Sequence, residues 1–381
     1  MSPQPEIRDP RSEKILVRGV NWLGDAVMTT PALLRLRERF PGAHIALLTH
    51  EKLADLWQHH PAVDAVMTFS GGDSVWQVAN RLREEKFHIG LACPNSHRAA
   101  LELWLARIPR RVGYAAPIRN WFLTDRVRPR EAFVRMRKRT TAEIRRLIRS
   151  PETVSKESEP AVRHHIYHYL HIAALLGANP EPLPPNLETS EAEVQAVKQK
   201  FELSADTLWF GMNPGAEYGP AKRWPKERFI AAAIEAQRCA KCRWLIFGGA
   251  ADIPLATEIS AALQHQFPST PALNLAGKTT LRELCALLKL CRLLLTNDSG
   301  PMHVAAAVGT LVVAVFGSTS PELTGPGLPG DSRHRLLRAA VPCSPCFLRE
   351  CPIDFRCMLR VEVGQVVEAI LQTCGPRSEI L

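Results

Sequence analysis

The chain has 381 residues, 46% of them hydrophobic and 23% charged, with 48 Lys and Arg against 38 Asp and Glu for a net charge of +10. That length exceeds what one hydrophobic core usually organises, so two domains are expected; no apolar run approaches the roughly 18 residues that span a bilayer, and Met1 to Lys14 has no apolar signal core, so the expected compartment is the cytoplasm. The positive balance favours an anionic partner, whether nucleic acid, anionic lipid or phosphorylated sugar, and the ten cysteines are expected to be reduced thiols.

Short apolar runs alternate with helix-length amphipathic stretches, the pattern of a mainly parallel sheet covered by helices. A strand is expected at Lys14–Arg18, a helix from about Asp25 to Phe40, and a strand at His44–Leu48. Strands at Val63–Phe69 and His88–Ala92 follow, with a helix over Ser74–Glu85 between them. The alternation weakens from Tyr114 to Leu203, through an arginine-rich stretch, a Ser/Glu/Pro segment at Ser150–Pro160, and a proline cluster at Asn179–Pro185 that reads as a linker. It restarts with strand Thr207–Met212, helix Lys226–Ala240, strand Arg243–Phe247, helix Ile253–Gln266, strand Ala272–Leu275 and helix Thr279–Leu290. Strand Arg292–Thr296, helix Pro301–Val308 and strand Leu311–Phe316 close the series. Two Rossmann-like domains are expected, 1–186 and 187–381, facing a central cleft, with ligands held just after the strands.

Three segments stand in that position. After the first strand, Gly19 and Gly24 let the backbone turn and approach a ligand, and Asp25 opens the next helix, where it can equally be a plain N-cap. In the second half, Asn213-Pro-Gly215-Ala-Glu-Tyr-Gly219-Pro-Ala-Lys222-Arg223-Trp224-Pro225 is a Gly/Pro-rich loop with adjacent cations, suited to a diphosphate or else a solvated turn. The third, Thr296-Asn297-Asp298-Ser299-Gly300-Pro301-Met302-His303, joins a strand to an Ala/Val helix. Asp298 or Ser299 can cap that helix, and its free N–H groups make an anion site. No two aspartates stand two positions apart, so the D-x-D metal element of many glycosyltransferases is missing and no metal or cofactor is expected. G-x-x-x-x-G-K-[ST] and G-x-S-x-G are absent as well, and the segment after the first strand lacks the strict G-x-G-x-x-G of a dinucleotide fingerprint.

Leu16-Val-Arg-Gly-Val-Asn-Trp-Leu-Gly-Asp25, Asn213–Trp224 and Thr296–Ala306, in that order, resemble the motifs of the lipopolysaccharide heptosyltransferase family (glycosyltransferase family 9), nearest its heptosyltransferase II branch. The resemblance implies an α/β fold of GT-B architecture and metal-independent, inverting transfer of heptose from ADP-heptose. The implied acceptor is an anionic lipopolysaccharide core at the inner face of the cytoplasmic membrane. It further implies that Asp25 is the general base and that Lys222 faces the donor phosphates. Asn213, Gly215, Arg223, Asp298, Ser299, Gly300, Pro301 and His303 would line the donor. The domain 1–186 would then bind acceptor, and 187–381 nucleotide sugar. A heptosyltransferase acting on another core position, a nicotinamide-dependent oxidoreductase and a nucleic-acid-binding module are the alternatives; with a sugar nucleotide and a glycolipid as partners, no nucleic acid is expected.

Two further features stand outside these motifs. Cys343-x-x-Cys346-x₄-Cys351-x₅-Cys357 fits a structural zinc site, ordinary thiols or a redox pair. Between Arg126 and Arg149 ten Lys and Arg face two Glu, either a solvated face or a landing strip for an anionic glycolipid. Asp252 is a further candidate, for a ribose contact, and Arg163–Tyr169 reads as an amphipathic helix.

Overall fold

The computed structural model describes residues 13–149 and 163–374; the Ser/Glu/Pro segment at Ser150–Pro160 and the first residues of the chain lie outside them. Two compact units emerge. One comprises the described residues of Met1–Phe133 and His165–Glu188, the other those of Val134–His164 and Thr189–Leu381. The chain therefore leaves the first unit, returns to it and leaves it again at Glu188, and the arginine-rich stretch from Val134 packs with the second unit rather than the first.

The first unit is built on six parallel strands in the order β3-β2-β1-β4-β5-β6: β1 Lys14–Arg18, β2 His44–His50, β3 Ala65–Phe69, β4 Ile89–Ala92, β5 Arg110–Tyr114 and β6 Asp125–Val127. This is the doubly wound order, which reverses between β1 and β4 and opens a crevice at their carboxyl ends. Ile15, Leu16 and Val17 are almost wholly buried, as a central strand covered on both faces requires. At the end of β1, Arg18 is buried too, its Nε 2.8 Å from Glu102 Oε2, while Arg98 holds the other carboxylate oxygen at 2.7 Å. The helix Leu23–Arg39 follows, and Ile166–Ala174, supplied by the returning segment, packs against it.

The second unit repeats the plan in the order β12-β11-β10-β7-β8-β9: β7 Trp209–Asn213, β8 Arg243–Ile246, β9 Leu273–Asn274, β10 Leu293–Asn297, β11 Leu311–Phe316 and β12 Arg335–Arg338, again all parallel. Its reversal lies between β7 and β10. The helices Lys226–Ala240, Ile253–Gln266 and Leu281–Leu290 cover it, the last beginning at a capping box of Thr280 and Glu283. Among the described residues no helix is long and apolar enough to cross a membrane.

Strands β1 and β11 and the helices Lys226–Ala240 and Ile253–Gln266 have the bounds their periodicity predicts. The sequence pattern misses β5, β6 and β12, each of which contains arginine and so breaks the apolar run. It also misses the helices His97–Leu105, Thr141–Arg149, Glu191–Lys200 and Val363–Cys374.

Candidate functional site

The helix Leu23–Arg39 begins two residues earlier than its sequence suggests. Its N-cap is Trp22, with no side-chain cap, so Asp25 is not the cap but a first-turn residue, where the dipole favours its charge. The half-buried Asp25 carboxylate instead meets the helix Ile166–Ala174 and its N-cap: Tyr169 donates its hydroxyl to Oδ1 at 3.1 Å, and His165 Nδ1 lies 3.5 Å from the same oxygen. Burial first, then the adjacent Asp25 carboxylate, raises the Tyr169 hydroxyl well above its usual range, so it stays a donor. Beside it, His168 is stacked on Tyr114 at 3.9 Å and pushed down to about 3 by burial, so it is neutral.

In the second unit the two remaining segments converge where β7 and β10 pair. Asn213, the last residue of β7, is buried and donates through Nδ2 to Gly215 O and Ser299 Oγ, both at 3.2 Å. Asn297, the last residue of β10, donates to Pro214 O at 2.7 Å and accepts from Trp224 N at 2.9 Å. These two side chains sew the loops together. Gly215 is required by close approach: a Cβ there would stand 2.4 Å from Asp252 Oδ1. Asp252 is thus part of this group, its Oδ2 accepting from Gly249 N at 3.1 Å and its Oδ1 3.8 Å from Arg223.

Lys222 closes a short 3-10 turn, Pro220–Lys222, and points its ammonium at Asp298 Oδ2, 2.6 Å away and buried. The same carboxylate oxygen accepts from Thr319 Oγ1 at 2.5 Å, and the Tyr218 ring lies 5.0 Å from the ammonium. Ser299 is the N-cap of the helix Gly300–Ala307, but its hydroxyl is turned to Asn213 and Thr296 and does not cap. Neither side chain proposed as a cap therefore satisfies the first-turn N–H groups, which begin at Gly300 beside Lys222's partner, Pro301 having none to offer. His303 is buried in that helix. The structure brings Asn213, Gly215, Lys222, Arg223, Asp298 and Ser299 together; Asp25 belongs to the other unit. Sequence reasoning missed Thr319, Tyr169 and His165. Thr319 follows β11 and could have been found by its place after a strand.

Cys343, Cys346, Cys351 and Cys357 line one pocket of the second unit as free thiols. Burial raises Cys343 and Cys346, and pushes Cys357 up to about 12, so the neutral thiol is favoured. Among the described residues no three His, Cys, Asp or Glu side chains are arranged to hold a metal ion. The basic stretch is partly committed: Arg137 pairs with Glu143 at 2.7 Å, and Arg139 donates to Pro342 O at 3.1 Å.

Comparison with known proteins accounts for this arrangement. Residues 75–355 match the model of glycosyltransferase family 9 (heptosyltransferase). Lipopolysaccharide heptosyltransferase 2 of Salmonella typhimurium is 32% identical over 321 residues, 82% of this chain and 85% of its own length. The structure of ADP-heptose lps heptosyltransferase II from E. coli superposes with a TM-score of 0.75 at 27% identity, covering 95% of this chain and 98% of that one. A family 9 glycosyl transferase from Veillonella parvula shares the fold, with a TM-score of 0.76 at 23% identity over 95% of this chain and 97% of that one. Two Rossmann-like units of this kind make the GT-B architecture, and the oxidoreductase and nucleic-acid readings find no support. The chain belongs to glycosyltransferase family 9, the heptosyltransferases, and is a glycosyltransferase.

Proposed function

We propose that this enzyme transfers L-glycero-D-manno-heptose from ADP-heptose to the inner core of lipopolysaccharide, with the unit of β1–β6 binding acceptor and that of β7–β12 binding the sugar nucleotide. The observation that carries the reading is the pairing of Lys222 with Asp298 at 2.6 Å beside a helix start that no side chain caps, at the carboxyl ends of β7 and β10. A diphosphate needs such a place: a cation and free backbone donors held before the charge arrives.

In the proposed reaction Asp25 takes the proton from the acceptor hydroxyl as its oxygen attacks the anomeric carbon. The bond from that carbon to the β-phosphate oxygen breaks, and the electron pair leaves on ADP. Attack opposite the leaving group inverts the centre. Lys222, with Arg223 and the N–H groups after Ser299, offsets the growing charge, while Asn213, Gly215, Asp298 to Pro301 and His303 shape the donor pocket. The names of the relatives support this donor and acceptor class, and a lipid-anchored acceptor accords with a reaction at the inner face of the cytoplasmic membrane, which is part of the proposal.

The test is incubation of the pure protein with ADP-heptose and defined core fragments, without added divalent ion. Stoichiometric release of ADP with heptosylated product is expected, as is selective binding of ADP over NAD in titrations. Selective NAD binding, or turnover with neither core fragment, would overturn the reading.

A further inference from the structure

We propose that the first unit carries a membrane-docking prong, formed by Ile118 and Trp121 with Trp104 and Phe122 beside them, that seats on an anionic phospholipid bilayer. Single exposed apolar residues are ordinary, but these are contiguous. Trp121 is 82% exposed, Ile118 66% and Trp104 46%, and the Trp104 and Phe122 rings stand 5.7 Å apart. Trp121 N donates back to Ile118 O at 3.1 Å, which keeps the two most exposed side chains on one turn.

The turn is built at some conformational cost. Ile118 has φ +63° and ψ −49°, and Arg119 N donates to Pro117 O at 2.6 Å, the strained hand of γ-turn and a conformation a β-branched residue rarely adopts. What holds it is Arg119, a fully buried guanidinium that donates to the carbonyls of Tyr114 at 2.9 Å and Pro94 at 2.7 Å. A Cβ on Gly113 would lie 2.9 Å from its NH2, so that glycine makes room for it. Spending a buried cation to present an isoleucine and a tryptophan to water has no packing rationale; strain of this kind is kept where it serves a contact.

Charge selects the occupant. From Trp104 to Arg128 the chain holds, besides the buried Arg119, five arginines and one acid, Asp125, which is paired with Arg110 at 3.3 Å. Arg111 and Arg126 donate to the carbonyls of Phe122 at 2.7 Å and Asn120 at 3.1 Å, so both guanidiniums flank the prong. Tryptophan and isoleucine ringed by arginine match the boundary of an anionic bilayer, where apolar side chains enter the headgroup layer and cations meet its surface charge. The use of such docking rests on the lipid-borne acceptor proposed above; its detection does not.

The experiment is sedimentation of the full chain with vesicles of phosphatidylglycerol and phosphatidylethanolamine, and with vesicles of phosphatidylcholine alone. The parent is expected to partition to the anionic vesicles, more weakly at high salt. Trp121→Ser with Ile118→Gly should lower that partition by about tenfold or more, while ADP affinity and transfer to a soluble, delipidated acceptor stay at the parent level. Because glycine relieves the positive φ, the double variant should melt no lower than the parent, which separates docking from folding. Equal partition of parent and variant would overturn the proposal, as would a concentration-dependent dimer that the variant abolishes, since the prong would then be an interface between copies. Loss of transfer with vesicle binding intact in the parent would instead overturn the reaction assigned above and leave the prong standing.

Discussion

Tyr169 donates its hydroxyl to Asp25 Oδ1 across 3.1 Å, from a position 144 residues further along the chain. One lone pair of the proposed base is thereby fixed. Trp22, not Asp25, is the N-cap, so Asp25 is not the residue on which the helix start depends for a side-chain cap. Asp25→Asn is expected to fold and bind ADP while kcat falls by roughly 10²-fold or more. Tyr169→Phe keeps the ring and removes only the donor, so a smaller fall in kcat with unchanged donor KM is expected. Steady-state kinetics on folded variants check both, and near-normal turnover by Asp25→Asn would end the assignment.

Removing the Lys222 charge leaves Asp298 buried with only Thr319 as a donor among its known partners. Lys222→Met should therefore lower both melting temperature and kcat, because an uncompensated buried carboxylate is strongly destabilising. The double variant with Asp298→Asn removes the orphaned charge, so stability should return while turnover does not. Recovery of turnover in the double variant would show that Lys222 matters only for folding.

Gly215→Ala drives a methyl group to 2.4 Å from Asp252 Oδ1. Asp252 is held by Gly249 N, so the loop has to give, and ADP affinity should fall by about tenfold or more with little loss of secondary structure. Adding Asp252→Ala frees the space and should recover part of the affinity. Calorimetric titration with ADP reads both, and an unperturbed affinity in Gly215→Ala would place the loop outside the donor pocket.

Two buried imidazoles set an acid limit. Burial lowers His60 to about 4 and, with His165 and His171 next in order, lowers His168 to about 3. In the unfolded chain both titrate near about 6.5. As pH falls below that value the unfolded state takes up protons that the folded state does not, so stability is lost progressively toward about pH 4. Melting temperature should drop over this window, and the pair His60→Gln and His168→Gln should flatten the drop. A parent whose melting temperature is level from about pH 7 to about pH 4.5 would contradict the burial of both rings.

The loops that make the second unit's site were legible because Gly, Pro, Asn and Asp cluster there where a strand hands over to a helix, and β7, β10 and the helix Gly300–Ala307 all fell close to their sequence bounds. The partners of those residues were not legible. Tyr169 sits in a helix of ordinary apolar composition, and Thr319 in a polar turn. Neither type announces that a carboxylate lies opposite it. The fold class followed from alternation alone, but the arginine-containing strand β5 and the edge strands β6 and β12 did not, since edge strands need little apolar sequence and the two arginines that open β5 interrupt its run. Nothing in local sequence marks the Val134–His164 excursion, because membership of a unit is decided by long-range packing.

That excursion limits how the enzyme can be taken apart. Ile144, 1% exposed, belongs to the hydrophobic core beneath β7 and β10, with Ile148 packed against it. A chimera cut once at the proline linker, joining residues 1–186 of this chain to the second half of a relative, would carry that helix away from its own core and offer it a foreign one. Modular exchange therefore demands three junctions, near Phe133, His164 and Glu188. A second half expressed from residue 187 onward would open a hole where Ile144 belongs, and supplying Thr141–Arg149 as a separate peptide should be the simplest way to fill it.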